Sequence, residues 1–182
     1  KIDFHLILKK DSIMISLFVF GLSFILTKVT SGCVCDTIYP QDNVNITEYI
    51  RKTWYIQKQQ VTGYQRENQL NCVAATYNID NNSKVPFFKG KVLTVYNYAN
   101  QDKVNGPSLG NNNTYLCARM PNQHTSGKLL VAPCFLPNIF GGPYWILYAG
   151  PDPDNYLWAI VIGGQPTMCA TNTTNTTSCT TK

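Results

Sequence analysis

Cysteine is the residue type in this chain that offers the most chemistry. All seven cysteines follow residue 32, and they are Cys33, Cys35, Cys72, Cys117, Cys134, Cys169 and Cys179. None stands in a Cys-x-x-Cys spacing, and Cys33-Val34-Cys35 is too close-set for a usual zinc pair. Cysteines without a metal motif form disulfides in an oxidising compartment. We therefore expect disulfides and no metal site, and because seven is odd, at least one thiol stays free or pairs with another chain.

Groups that could carry acid–base or nucleophilic catalysis are few. After residue 32 the chain has a single histidine, His124, in a polar turn where a surface role explains it. Asp152 and Asp154 are a pair of carboxylates, but their Gly-Pro-Asp-Pro-Asp-Asn setting is typical of a turn. No glycine-rich phosphate loop follows a strand. The sequence thus predicts no catalytic residue and no cofactor, and we expect the protein not to be an enzyme.

Asn-x-Ser/Thr sequons mark acceptor sites for glycosylation. They lie at Asn45, Asn81, Asn112, Asn172 and Asn175. Four of them fall in segments that we expect to be loops or tail, where an oligosaccharide can stand in solvent. Together with the cysteines, they predict a secreted glycoprotein.

The first 32 residues have the pattern of a targeting segment. Ile13–Leu26 is apolar, two lysines precede it, and small residues at 29–32 offer cleavage sites. A membrane anchor is the alternative, but so short an apolar stretch suits a removed signal better than a span of about 20 residues. We expect residues 1–32 to be upstream residues plus a signal peptide. Residues 33–182 then form one extracellular domain with no membrane span left.

The charge pattern argues against two classes of partner. The chain has 15 basic and 10 acidic residues, a formal net charge of +5, with no run of like charges. Nucleic-acid grooves and polybasic membrane surfaces need such clusters. We therefore expect neither nucleic acid nor a membrane surface as a partner.

The elements that must position these residues are strands. Thr53–Thr62 and Asn71–Ile79 are rich in Val, Ile, Thr and aromatic residues and flank a polar loop, which predicts an antiparallel pair. Asn45-Ile-Thr-Glu48 can cap one helical turn before them. Turns rich in Gly, Pro, Asn and Asp separate five further predicted strands, which are Val92–Tyr98, Thr114–Arg119, Lys128–Pro133, Tyr144–Ala149 and Tyr156–Ile162. The pattern predicts an all-β sandwich or barrel.

Several of these strands carry motifs of a known family. Tyr49, Trp54 and Tyr55 are followed about eighteen residues later by Cys72-Val-Ala-Ala-Thr-Tyr77. The later motifs are Gly90-Lys-Val-Leu-Thr-Val-Tyr96, Gly127-Lys-Leu-Leu-Val131, Gly142-Pro-Tyr-Trp-Ile-Leu-Tyr148 and Asn155-Tyr-Leu-Trp-Ala-Ile-Val161. In the order and rough spacing of these motifs, the chain resembles the lipocalins. The pattern is close to that of the apolipoprotein D and bilin-binding branch. The resemblance implies an up-and-down antiparallel β-barrel whose interior can hold a small ligand, with seven of eight strands visible.

The chain departs from the family pattern at its entrance and at its end. Lys52 stands where the family's Gly-x-Trp motif has glycine, with one extra residue after Tyr49. After Gly163-Gly164 the chain passes into a Thr/Asn-rich tail, where the family has an eighth strand and a C-terminal helix. We therefore expect the sequence to be a fragment that lacks these two elements.

The resemblance implies which residues face the ligand, because alternate side chains of a strand share one face. If the family register holds, the calyx is lined by Tyr77, Thr94, Tyr96, Trp145 and Leu147, with Val73, Ala75 and Val92 beside them. Ordinary core packing is the alternative for each of them, since aromatic residues dominate apolar burial. Trp54 is expected to be a structural plug at one end of the barrel.

The resemblance also implies part of a disulfide frame. Cys33 or Cys35 is expected to bridge to Cys169, because the family commonly ties its N-terminal segment to this part of the barrel. Cys72 is expected to pair with a cysteine of the C-terminal tail, where only Cys179 is available.

Cys117 and Cys134 are left on neighbouring predicted strands. With the intervening turn centred near His124, Cys117 faces Val131. A bridge from Cys117 to Cys134 then needs a register shift of about three residues, or a bulge.

The function that these observations favour is the extracellular binding and transport of a small hydrophobic molecule, such as a lipid, retinoid, sterol, bilin or carotenoid. One alternative is an enzyme on the same barrel, of the de-epoxidase or isomerase type, but the expected inward residues include no acid or base beyond Tyr and Thr. Another is a secreted inhibitor or defence protein that acts through its loops, above all through Gln101–Asn113. Function must be argued from the site and not from the fold.

Overall fold

The computed structural model describes residues 34–62, 65–79, 85–110, 115–122, 127–171 and 177–181. The predicted signal segment lies outside these residues. The described elements are α1 (Ile46–Tyr49), β1 (Trp54–Tyr55), β2 (Asn71–Ile79), β3 (Lys91–Asn100), β4 (Leu116–Met120), β5 (Lys128–Pro133), β6 (Gly142–Asp152), β7 (Asn155–Ile162), β8 (Met168–Thr171) and β9 (Thr177–Thr180), with short 3-10 helices at Glu67–Gln69 and Asn138–Phe140.

Strands β1 to β7 form one antiparallel sheet in which each strand pairs with the next along the chain. The sheet curls into a half-barrel with up-and-down topology, which confirms the predicted all-β fold class and is consistent with a lipocalin-type barrel. β8 and β9 form a separate two-stranded hairpin. Within the described residues, no helix is long and apolar enough to cross a membrane.

The first strand is much shorter than predicted. Trp54 and Tyr55 pair with β2, and one further bond runs from the Ile56 amide to the Val73 carbonyl at 2.9 Å. The next residues, Gln57-Lys-Gln-Gln60, lack the β-branched and aromatic side chains that hold a strand to its neighbour. The prediction of a strand over Thr53–Thr62 is therefore wrong beyond Ile56.

The predicted helical turn forms as α1. The Asn45 side chain accepts a hydrogen bond from the Glu48 amide at 3.2 Å, and this caps the helix. Ile46 and Tyr49 are buried and join the main core. Asn45, one of the five sequons, thus has a capping role, while the other four sequons lie outside the described residues.

The main core lies on the concave face of the sheet. It gathers inward side chains from β2 to β7 together with those of α1, among them Tyr77, Leu93, Val95, Ala118 and Ile146. A second, smaller cluster covers part of the convex face, where Val85, Val92 and Cys117 pack with Phe88 and Cys134. Residues 85–88 therefore bury the outer face of β3 and β4 as well.

Cys117 and Cys134 form a disulfide on this outer face, with Cα atoms 4.9 Å apart. Cys117 lies opposite Ala132, one position from the expected Val131. Cys134 is two residues beyond Ala132, so the two cysteines are diagonal neighbours on one face. A shift of one residue is enough for the bridge, and the predicted shift of about three is not needed.

A second disulfide joins Cys35 to Cys179, so the predicted pairing of Cys72 with Cys179 is wrong. The C-terminal hairpin lies beside the N-terminal segment: the Ile38 amide donates to Gln165 Oε1, and Gln165 Nε2 donates to the Asp36 carbonyl. Cys72 stands at the start of β2 as a free, exposed thiol. Cys169 is disulfide-bonded, while Cys33 lies outside the described residues.

Candidate functional site

The concave face of the half-barrel encloses a cavity of about 1190 Å³. Its apolar lining comes from alternate positions of successive strands, among them Trp54, Val73, Ala75, Val95, Leu116 and Val131. The two edge strands of the described sheet, β1 and β7, also contribute side chains, and the cavity opens to solvent between them.

Of the five expected ligand residues, Tyr77 faces the cavity and the two on β3 do not. Tyr77 pairs with Val95, which places Val95 inside and Thr94 and Tyr96 on the convex face. Tyr96 is 48% exposed, and its hydroxyl lies against Gly110. The expected orientation of Thr94, Tyr96 and Val92 is therefore wrong by one residue.

The expectation for β6 is wrong in the same way. Tyr144 and Ile146 face inward, so Trp145 lies on the convex face, where the Lys128 ammonium sits 4.7 Å from its ring centroid. Between Ile146 and Tyr148 the pairing with β7 slips, which makes Leu147 the extra residue of a β-bulge. Leu147 is buried, but neither it nor Trp145 lines the cavity.

Trp54 lies at the closed end of the cavity, next to α1. Its indole nitrogen donates a hydrogen bond to the Tyr49 carbonyl at 2.7 Å, and its ring centroid is 4.9 Å from that of Tyr49. Trp54 therefore holds α1 against the first strand and also lines the cavity.

A cluster of three tyrosine hydroxyls supplies hydrogen-bonding groups at this closed end. Tyr77 donates to the Tyr144 hydroxyl at 2.9 Å, and the hydroxyls of Tyr49 and Tyr144 lie 2.8 Å apart. All three residues line the cavity. Among the described residues, these hydroxyls have no other hydrogen-bond partner.

Burial keeps these phenols neutral. Desolvation raises the pKa of Tyr49, Tyr77 and Tyr144 well above the ordinary tyrosine value. In each case the potential charge of one neighbouring phenol raises the pKa further. At neutral pH the cluster therefore offers O–H donors and hydroxyl lone pairs, but no charge.

Helix α1 bridges the gap between the two edge strands at the closed end. The Tyr156 amide donates to Glu48 Oε1 at 3.2 Å, and the Asn45 amide donates to the Tyr156 hydroxyl at 3.1 Å. Both oxygens of Glu48 also accept from Arg51, at 2.6 Å each, and this hydrogen bonding holds the pKa of Glu48 below its usual range. The cavity is thus closed at the helix end.

Four residues of the described lining carry charged side chains. They are Glu48, Arg51, Lys52 and Lys58. Glu48 and Arg51 form a salt bridge, while Lys52 and Lys58 are exposed. The rest of the described lining consists of apolar side chains, uncharged polar side chains such as Asn97, and the phenol cluster.

One group of side chains has metal-ligand proximity, but it is not a metal site. The sulfur atoms of Cys35, Cys169 and Cys179 lie within 4.8 Å of one another. All three cysteines are disulfide-bonded and offer no thiolate.

Sequence reasoning missed Tyr49 and Tyr144 as site residues. The sequence marks Tyr49 only as part of the family motif, and the predicted inward face of β6 holds Trp145 in place of Tyr144 because it is one residue out of step.

Comparison with known proteins gives no identification. No model of a protein family matches the chain, and neither a curated protein nor a solved structure matches it.

Proposed function

We propose that this protein binds a small hydrophobic molecule inside the half-barrel, as a lipocalin-like carrier. The observation that carries the proposal is the cavity of about 1190 Å³, whose described lining is mainly apolar, with uncharged polar groups and four charged residues that are exposed or paired. Natural ligand sites are concave, mostly apolar and supplied with a few well-placed polar groups. This cavity has that composition, and it is large enough for a molecule of lipid or retinoid size.

The energetics place a limit on the affinity. A ligand that loses about 450 Å² of apolar surface to the cavity gains about 11 kcal/mol. Association costs at least about 4 kcal/mol in lost translational and rotational freedom. At most about 7 kcal/mol then remains, which corresponds to a dissociation constant of about 10 µM or weaker.

An extracellular setting is part of the proposal. The disulfides Cys35–Cys179 and Cys117–Cys134 are compatible with an extracellular protein, because such bonds persist in oxidising compartments. A secreted carrier also gains from them, since they stabilise a domain whose interior is partly hollow.

Proton chemistry in the cavity is less well supported than binding. An enzyme of the de-epoxidase or isomerase type needs a group that exchanges protons near neutral pH. The raised pKa values of Tyr49, Tyr77 and Tyr144 make these phenols poor acids under such conditions.

The proposal is tested by filling the cavity from one side of the sheet. Val131 is partly buried and lines the cavity, whereas Thr94 is partly buried on the convex face of the same sheet. We expect Val131→Trp to weaken binding of Nile red at least about fivefold, because an indole clashing with a bound ligand costs about 1–3 kcal/mol. Thr94→Trp is the matched control and leaves the affinity unchanged. Equal effects of the two substitutions, or no Nile red binding by the unmodified protein, would contradict the proposal.

A further inference from the structure

The hydroxyl cluster of Tyr49, Tyr77 and Tyr144 has one more proton than its internal hydrogen bonds use. Three phenols carry three O–H protons, and the cluster contains two hydrogen bonds. One proton is therefore left to donate outside the cluster. Because Tyr77 donates to Tyr144, this proton belongs either to Tyr49 or to Tyr144.

Burial decides between the two. All three residues line the cavity, but Tyr49 and Tyr77 are only 3% and 5% exposed, while Tyr144 is the more exposed of the three. If Tyr49 donates to Tyr144, then Tyr144 accepts two hydrogen bonds and directs its own proton to the most accessible side. This arrangement leaves no phenol proton buried without an acceptor, so its free energy is lower than that of the alternative arrangement.

We propose that the ligand is an uncharged molecule with an apolar body and an oxygen, carbonyl or hydroxyl, that enters the closed end of the cavity and accepts a hydrogen bond from Tyr144. This inference rests on the proposed function and adds the chemical class of the ligand. The two hydrogen bonds that Tyr144 accepts polarise its O–H group, so it is a stronger donor than an isolated phenol.

An anionic head group does not suit this end of the cavity. The positively charged lining residues of the described part, Arg51, Lys52 and Lys58, are exposed to solvent, and Arg51 is already paired with Glu48. A carboxylate at the phenol cluster would be buried with a single O–H donor and no cation, at a large desolvation cost. The raised pKa values of the three phenols report the same resistance of this region to negative charge.

The first test compares ligands of one chain length. Dodecan-2-one, dodecan-1-ol and dodecanoate are used to displace Nile red from the full chain at pH 8. We expect the ketone and the alcohol to bind at least about ten times more tightly than dodecanoate. We also expect the affinity for dodecanoate to rise as the pH falls toward 5, because its own carboxyl group becomes protonated. Dodecanoate binding at pH 8 as tightly as the ketone would overturn the inference and leave the proposed function standing. Binding of Nile red without displacement by the ketone or the alcohol would also overturn it. Failure of Nile red and all three compounds to bind would overturn both.

The second test distinguishes the proposed donor, Tyr144, from the two tyrosines that donate hydrogen bonds to it. We expect Tyr144→Phe to weaken ketone binding about 3- to 10-fold, the range of one net hydrogen bond. The double variant Tyr49→Phe/Tyr77→Phe keeps the Tyr144 donor but removes the two hydrogen bonds that polarise it, so we expect it to lose less ketone affinity than Tyr144→Phe. Tyr96→Phe is the matched control, because it removes a hydroxyl from the convex face and should leave the affinity unchanged. Thermal melts of all variants check that they fold. A double variant that loses as much affinity as Tyr144→Phe, or a folded Tyr144→Phe protein with unchanged affinity, refutes the assignment of the donor.

Discussion

The bridge between Cys35 and Cys179 should contribute more to stability than the bridge between Cys117 and Cys134. The first closes a loop with a sequence separation of 144 residues and the second one of 17 residues. In the chain-entropy account, loops of these lengths correspond to about 5 and about 3 kcal/mol of stabilisation at 25 °C. Cys117 is also fully buried, so its removal adds the loss of some packing.

Because Cys169 is also disulfide-bonded and lies ten residues before Cys179, the assay uses a Cys169→Ser background, in which its bridge no longer restricts the same segment. The two double serine variants in this background are unfolded in urea under non-reducing conditions, with the Cys169→Ser protein as reference. We expect Cys35→Ser/Cys179→Ser to lower the free energy of unfolding by about 3–5 kcal/mol, because Cys179 is exposed and its loss is mainly a loss of chain restriction. Far-ultraviolet circular dichroism should stay that of a β protein. A loss below about 1 kcal/mol, or a peptide map in which Cys35 and Cys179 have other partners, would refute the reasoning.

The remaining predictions concern alkaline pH. The pKa of each cluster phenol is raised in the folded state above its unfolded value of about 10, so the folded state holds these protons more tightly. Their contribution to the free energy of unfolding is complete below pH 10 and is lost as the pH rises above it, which chemical denaturation at several pH values will show. We expect Tyr49→Phe/Tyr77→Phe to reduce this fall of the unfolding free energy with pH. An equally steep fall in the double variant would argue against the cluster. In a titration followed at 295 nm, three of the 11 tyrosines should resist ionisation until the protein unfolds, and ionisation of all 11 in the folded state would contradict this.

The order and the pairing of the strands could be predicted because turn residues separate the apolar runs. The sequence is less informative about which side chains of each strand point inward. In β3, Val92 is buried by residues 85–88 on the convex face while Leu93 and Val95 are buried inside, so both faces are apolar and the alternation carries little information. In β6 the bulge at Leu147 changes the parity partway along the strand, and a bulge has no clear signal in the sequence.

The disulfide frame could be predicted only in part, for a related reason. Cys117 and Cys134 lie on adjacent strands, so their approach depends on a local register. The Cys35–Cys179 bridge depends on where the C-terminal hairpin docks, which is set by contacts such as those of Gln165 with Asp36 and Ile38. Contacts between chain segments so far apart leave no periodic pattern. The phenol cluster is a similar case, because Tyr49, Tyr77 and Tyr144 meet only after α1 has docked on the sheet.

The most direct test of the central claim is the position of a bound ligand relative to two tryptophans. Trp54 lines the cavity and Trp145 lies on the convex face of the sheet. Two single-tryptophan proteins, with the other two tryptophans replaced by Phe, are titrated with 12-bromododecan-1-ol, whose bromine quenches indole fluorescence only near contact. Binding in the cavity predicts saturable quenching of Trp54 and none of Trp145. Quenching of Trp145 alone, or equal quenching of both, would contradict a ligand site inside the half-barrel.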